Sequence, residues 1–468
     1  MGIIGAKTHE LLSRAALLPL WKFQRVARPS RRTAALHYFS ALNFRRRAAQ
    51  WDTEQKRAWI LERLRFAVRR AARETSYYAR LFEHTGFDPL SDFDFDEFAR
   101  LPMLERDEVR RAGLELVSQS VPRSLLRKDA TGGSTGSPTE IWLGPEETGW
   151  RESAIEYSLE QVGVPTGAAT AFFWGHHLDP IARESLLERY HDFEANVRWF
   201  DCFRLSPEVL EGYHREFERW RPACIIAYAG ALAALAEHLM ARGLRPNYPR
   251  VALVTGAEKL WPGQREIIEK IFGRPVHERY GSRDAGLIGF QFAPGRTHNY
   301  EIDWANVLLE PDGRGHEAGI LITKLHADGM PLLRYRIGDV ARFPEGSEPG
   351  HPVFVLHEVL GRDLDRIWLP DGRWVHPIQF PHMIKDYPVR EFMFVQRPDY
   401  SVELRIVPRD GFAEETRGAI LSTVSSNMPG VDVSVMLVEE IPRTKSNKWR
   451  PVISQVGQSE RGNSESGA

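Results

Sequence analysis

Between residues 54 and 73, Ile60, Leu61, Leu64, Ala67, Val68 and Ala71 stand among arginines and glutamates. Steps of three and four residues gather them on one face, so the segment reads as an amphipathic surface helix. Beyond residue 130 the texture changes. Short runs rich in β-branched and aromatic residues, at 171–174, 197–200, 224–228, 251–255 and 320–323, read as strands. Helical stretches at 207–220, 231–241 and 263–272 lie between them. Strand, helix and strand in alternation predict α/β layering around a largely parallel sheet. Past residue 361 the pattern shifts again. Asp371-Gly372 marks a tight hairpin between 366–369 and 374–375. Strands at 391–396, 402–407 and 431–438, with one helix at 414–427, then suggest a separate small α+β domain.

Composition narrows the function classes. The chain has 468 residues, 42% hydrophobic and 27% charged, which suits several globular units with a large core. Its formal charge is −1, so it is no polycation, and nucleic acid is not expected as a partner. Two cysteines, Cys202 and Cys224, make neither a disulfide framework nor a four-thiolate zinc site, and their scarcity fits a reducing cytoplasm. No run approaches the roughly 18 apolar residues of a membrane helix, and residues 1–20 read as a helix of the mature protein. The first fifty residues hold ten Lys or Arg against the single Glu10; they read as a helical, basic region packed on the body. The Ser/Gly/Glu-rich stretch 455–468 is expected to be disordered.

Five motifs carry candidate chemistry. Thr131-Gly132-Gly133-Ser134-Thr135-Gly136-Ser137-Pro138 offers exposed N–H groups and hydroxyls suited to phosphate oxygens, though no lysine follows to make a Walker-type loop. Gly256-Ala257-Glu258 follows a buried strand, at the edge where open α/β sheets bind ligands. Tyr280-Gly281-Ser282-Arg283-Asp284 supplies an aromatic face, a glycine allowing close approach, and a carboxylate for a hard metal ion. Asp339, in Arg334-Tyr335-Arg336-Ile337-Gly338-Asp339, is placed by the pattern just after a strand as an acceptor for ribose hydroxyls. Near the C-terminus, Lys445 and Lys448 fall close together in a chain with ten lysines and 52 arginines, which suggests that a compact ammonium is required there. Phe172-Phe173-Trp174, followed by His176 and His177, reads either as an aromatic wall or as a buried strand that ends in two surface histidines.

Taken in this order, the motifs resemble the adenylate-forming superfamily of acyl-CoA synthetases and adenylation domains, especially its phenylacetate–CoA ligase and CapK-like branch. Residues 77–82 and 101–106 resemble that branch's lead-in. The resemblance implies a large N-terminal domain with layered parallel-rich sheets and a small mobile C-terminal α+β domain. Residues 1–125 would be a helical region on the large domain, 126–360 its nucleotide-binding part, 361–365 a hinge and 366–454 the small domain. It implies ATP-dependent activation of a carboxylic acid to an acyl-adenylate, followed by transfer to coenzyme A. An amine or acyl carrier protein acceptor, or a non-catalytic nucleotide-binding descendant, are the alternatives, and a homodimer is compatible.

By the same resemblance, residues 131–136 hold the ATP phosphates, with Thr135 also catalytic. Gly256, Ala257 and Glu258 line the adenine and acyl sites, Tyr280 stacks on adenine beside Gly281, Ser282 and Arg283, and Asp284 serves Mg²⁺. Asp339 binds ribose, Arg362 opens the hinge segment as a catalytic and nucleotide-binding residue, and the catalytic Lys448 meets the substrate carboxylate and α-phosphate. Trp174, His176, Gly256 and Gly281 would face the acid. Four positions depart from the superfamily pattern: Asp284 replaces a glutamate, Arg283 stands where a hydroxyl residue is common, Leu364 replaces the hinge aspartate, and Asn447 replaces a glycine.

Overall fold

The computed structural model describes residues 29–130, 139–174, 196–202, 205–294, 297, 299–362, 367–371, 374–375, 379–384, 387–442 and 451–456. Within it the chain divides into two compact units. One comprises residues up to Ile337 together with Ala341–Glu358, and the other Gly338–Val340 together with Val359 onward.

The first unit opens with helices α1 (Pro29–Ala48), α2 (Thr53–Glu74), α3 (Ser76–Thr85) and α4 (Arg106–Ala112). Asp52 accepts a hydrogen bond from the Gln55 N–H while the Gln55 side chain accepts from the Asp52 N–H, a reciprocal cap that starts α2. Ile60, Leu64, Val68 and Ala71 are buried along one face of α2, as their spacing predicts. Strands β1 (Arg127–Ala130) and β2 (Glu140–Leu143) form an antiparallel hairpin and lead into α5 (Pro145–Gln161). The first turn of α5 has no cap of its own at Gly144; the Asp328 carboxylate accepts from the Glu146 and Glu147 N–H groups instead.

An eight-stranded sheet organises the rest of the unit. It is built from β3 (Thr170–Trp174), β4 (Val197–Asp201), β5 (Cys224–Tyr228), β6 (Ala252–Gly256), β7 (Val276–Ser282), β8 (Gly286–Phe290), β9 (Tyr300–Ile302) and β13 (Val355–Leu356), in the order β13-β9-β8-β7-β6-β5-β3-β4. β3 to β7 pair in parallel, whereas β8, β9 and β13 continue antiparallel. Helices α6 (Pro207–Trp220), α7 (Ala229–Ala241) and α8 (Pro262–Phe272) bury Leu232, Leu235 and Ile268 with Ile225 and Leu253 of the sheet. Cys224, Ile226 and Val254 form another cluster with Ala154 of α5. Each fully buried aliphatic side chain contributes about 1.5–3 kcal/mol. Strands sealed between two apolar layers read as continuous hydrophobic runs, which is why the sequence marks them clearly.

β10 (Val307–Pro311), β11 (Glu317–Lys324), β12 (Tyr335–Arg342) and β14 (Glu358–Arg362) form a further sheet, in which β10 and β11 pair antiparallel from Val307↔Lys324 to Pro311↔Ile320. The run 320–323 therefore belongs to this sheet and not to the parallel one. β7 continues through Tyr280 to Ser282, because pairing with β8 extends it past a bulge at Tyr280/Gly281. Asp339 likewise lies within β12, not after a strand.

In the second unit, β15 (Ile367–Trp368) pairs antiparallel with β16 (Trp374–Val375) around the hairpin expected at Asp371. β17 (Val389–Gln396), β18 (Val402–Pro408), β19 (Val433–Leu437) and β20 (Val452–Ser454) form a sheet in the order β19-β18-β17-β20. Helices α9 (Gln379–Ile384) and α10 (Glu414–Asn427) complete its core, where Phe380, Phe394, Leu404, Ile420 and Val424 are buried together. This is the α+β pattern read from the sequence.

Candidate functional site

β5, β6 and β7 run parallel and end side by side, with Tyr228 paired to Gly256 and Thr255 to Glu278. The carboxyl edge of such strands exposes backbone to a ligand. Gly256 is required there: a Cβ would lie 2.7 Å from Arg279 Cγ. Ala257 follows with a φ of 69°, a left-handed conformation costly for a residue with a side chain. Glu258 Oε1 accepts from the Gly230 N–H at 2.6 Å in the first turn of α7, whose own cap position Tyr228 makes no capping bond. Its carboxylate thus stabilises a helix N-terminus.

Trp174 closes β3 beside this edge. Its ring centroid is 4.5 Å from that of Tyr228, and the Arg279 guanidinium lies over it at 4.6 Å. Burial lowers the Arg279 pKa to about 10, which leaves the group charged at neutral pH. Among the described residues Arg279 has no hydrogen bond or ion pair. His176 and His177 lie outside the described residues.

The Tyr280–Asp284 segment passes from β7 toward β8. A Cβ at Gly281 would collide with the Gly286 carbonyl oxygen. Ser282 Oγ accepts from the Ala285 N–H at 3.1 Å and tightens the turn. Tyr280 is half-buried, its ring 6.2 Å from Tyr300. Asp284 is 2% exposed. Its Oδ2 accepts from Tyr335 Oη at 3.0 Å, and Arg106 Nη2 is 3.7 Å away. Burial raises its pKa, while Arg106 and the Tyr335 hydrogen bond oppose the rise.

Two contacts involve residues on either side of the glycine-rich stretch, one of them with this segment. Arg283 Nη1 lies 3.4 Å from Asp129 Oδ1 at the end of β1, and Arg110 Nε donates to Thr139 Oγ1 at 3.1 Å beyond the loop. Ala130 and Glu140 are paired at the end of the described β1–β2 register. Residues 131–138 themselves, including Thr131, Gly132, Gly133, Ser134, Thr135 and Gly136, lie outside the described residues. So do Leu364, Asn447 and Lys448, and of Arg362 only the backbone, in β14, is described. Asp339 is half-buried on β12.

Among the described residues no group of three or more His, Cys, Asp or Glu could hold a metal ion. A magnesium ion bound mainly through nucleotide phosphates needs only one or two protein carboxylates. Asp284 Oδ1 accepts no hydrogen bond from a described residue and meets that lesser requirement.

Comparison with known proteins follows the same lines. No family model matches the sequence. In the solved structure of 2-hydroxyisobutyryl-CoA ligase in its postadenylation state with 2-HIB-AMP, 92% of that chain aligns with 89% of this one at 18% identity and a TM-score of 0.68. The chain has the adenylate-forming fold. It is also related to Staphylococcus aureus CapK, 24% identical over 245 residues, which is 51% of this chain and about half, 53%, of CapK. Phenylacetate–coenzyme A ligase of Thermus thermophilus is 24% identical over 397 residues, 79% of this chain and 85% of that protein. These relatives lie in the branch that the five motifs resemble.

Sequence reading missed Arg279 and Arg106. Arg279 stands inside an otherwise β-forming run next to Tyr280, which draws notice to the position but not to what the side chain faces. Arg106 carries no comparable local mark, because its partner Asp284 is reached only through the fold.

Proposed function

We propose that this chain activates a carboxylic acid with ATP, forming an acyl-adenylate and pyrophosphate, and then transfers the acyl group to coenzyme A. The carrying observation is the Arg283–Asp129 contact. It sets the stem of the glycine- and hydroxyl-rich loop against the Tyr280–Asp284 segment, at the carboxyl edge of the parallel strands.

In this reading the substrate carboxylate attacks the ATP α-phosphorus, the P–O bond to the β-phosphate breaks, and pyrophosphate departs. Both reactants are anionic, so the site needs positive charge and positioning more than a general base. Residues 131–136 cradle the β- and γ-phosphates, Tyr280 stacks on adenine and Asp339 takes the ribose hydroxyls. Gly256, Ala257 and Gly281 present backbone to the nucleotide and acid. Bound Mg²⁺, held by phosphate oxygens and Asp284, would supply charge neutralisation. Lys448, on the module beyond a hinge at 361–365 opened by Arg362, brings its ammonium to the reacting carboxylate and α-phosphate. Withdrawing that module frees the acyl carbonyl for attack by the coenzyme A thiol, which forms the thioester as the acyl–phosphate bond breaks and AMP leaves.

Trp174 and Phe172 favour a flat acid. An acyl carrier protein in place of coenzyme A, a homodimer and a cytoplasmic setting belong to the same proposal. Among the described residues no helix is long and apolar enough to cross a membrane. ATP–pyrophosphate exchange over a panel of carboxylic acids, with thioester formation measured with and without coenzyme A, tests the reading. Silence with every acid would overturn it.

A further inference from the structure

The charge at the acid end of the site is unspent. Arg279 projects from β7 between Gly256 and Trp174, and its guanidinium faces no carboxylate among the described residues. The other arginines of this region do have acceptors: Arg283 meets Asp129, Arg151 meets Glu147 and the Arg283 carbonyl, and Arg265 meets Glu278 and Glu269. Arg279 instead lies over an indole and lines a small cavity together with Ile226, Val254, Leu287 and Phe290. A half-buried charged group in that setting gives up part of its hydration and gains a cation–π contact in return. Burial already lowers its pKa, although it stays protonated.

A guanidinium over an indole has its N–H groups unmatched among the described residues, and its fork is the shape that takes a carboxylate through two parallel hydrogen bonds. The missing side chain at Gly256 is what lets Arg279 occupy this place. Resting on the ligase reading above, we infer that the acid activated here carries a second anionic group, a carboxylate or similar planar oxyanion, which Arg279 binds while the first carboxylate is adenylated. Trp174 packs against the carbon skeleton between the two.

The experiment compares ATP–pyrophosphate exchange for matched pairs: phenylacetate and 4-carboxyphenylacetate, benzoate and terephthalate, isobutyrate and 2-methylsuccinate. At least one diacid should exceed its monoacid partner in kcat/KM by on the order of 100-fold, since a site built to hydrogen-bond a group rejects the analogue that lacks it. Arg279→Met should erase that preference by lowering the diacid value and sparing the monoacid, and Arg279→Lys should keep part of it. The wild-type preference is read without any variant, so misfolding of Arg279→Met does not obscure it. Preference for the monoacid in all three pairs, or an equal loss for both members in a folded Arg279→Met protein, would overturn the inference while leaving the ligase reading standing. Silence with all six acids would overturn both.

Discussion

Tyr335 donates its hydroxyl proton to Asp284 Oδ2 at 3.0 Å, joining β12 to the turn after β7 at a carboxylate with almost no solvent contact. Burial favours the neutral acid, and Arg106 and Tyr335 hold the charged form against it. Tyr335→Phe keeps the ring and removes the donor. Stability at pH 7 should fall by about 1–3 kcal/mol, because a buried carboxylate loses a partner. Urea unfolding measures this, and an unchanged midpoint would mean the bond contributes nothing.

Gly256→Ala places a methyl group 2.7 Å from Arg279 Cγ. The arginine stem must then move, and the acid site with it. Acid-dependent exchange should drop by roughly tenfold or more, the scale expected for misplacement near a reacting group. ATP affinity measured by calorimetry should fall less than exchange does, since the clash is with the Arg279 stem.

A pH dependence resides at His326. Its Nε2–H donates to the Ala305 carbonyl at 3.0 Å, which leaves Nδ1 as the acceptor for Arg63 Nη2, also at 3.0 Å. Glu146 Oε1 lies 3.1 Å from Nδ1, but in this tautomer neither atom carries a proton; Arg63 donates to both. Burial beneath Trp150 lowers the His326 pKa to about 3. Below the usual histidine value near 6.5 the unfolded chain takes up a proton that the folded chain refuses, so stability falls as pH falls from there. Between pH 7 and pH 5 the wild type should lose about 1–2 kcal/mol more than His326→Gln. Parallel pH profiles for the two proteins would contradict the burial of a neutral ring.

Lys448→Ala and Asp339→Ala separate the proposed roles. The lysine variant should lose exchange activity by a factor of about 100 or more with ATP binding retained, because its charge acts mainly in the transition state. The aspartate variant should weaken ATP binding through the lost ribose contact. Isothermal titration beside exchange kinetics distinguishes them, and equal losses of binding and rate in the lysine variant would contradict its role.

The element order of this protein was legible in its sequence because periodicity is local. The strands at β3 to β6, helix α10 and the hairpin at Asp371 follow from runs of a few residues and one turn dipeptide. The glycines at 256 and 281 were legible too, since only glycine fits where another chain segment crosses. Strand ends were less clear: β7 runs on through Tyr280 and β12 contains Asp339, because pairing with a neighbour, not composition, extends a strand.

What only the tertiary structure decided are the contacts between residues distant along the chain. Arg279 over Trp174, Arg106 beside Asp284 and Arg283 against Asp129 each join separate elements. No local pattern distinguishes an arginine that ends in an ion pair from one left facing an indole. That difference depends on which strands lie side by side, and in a parallel sheet the order of strands is set by long crossovers and the burial of whole helical faces.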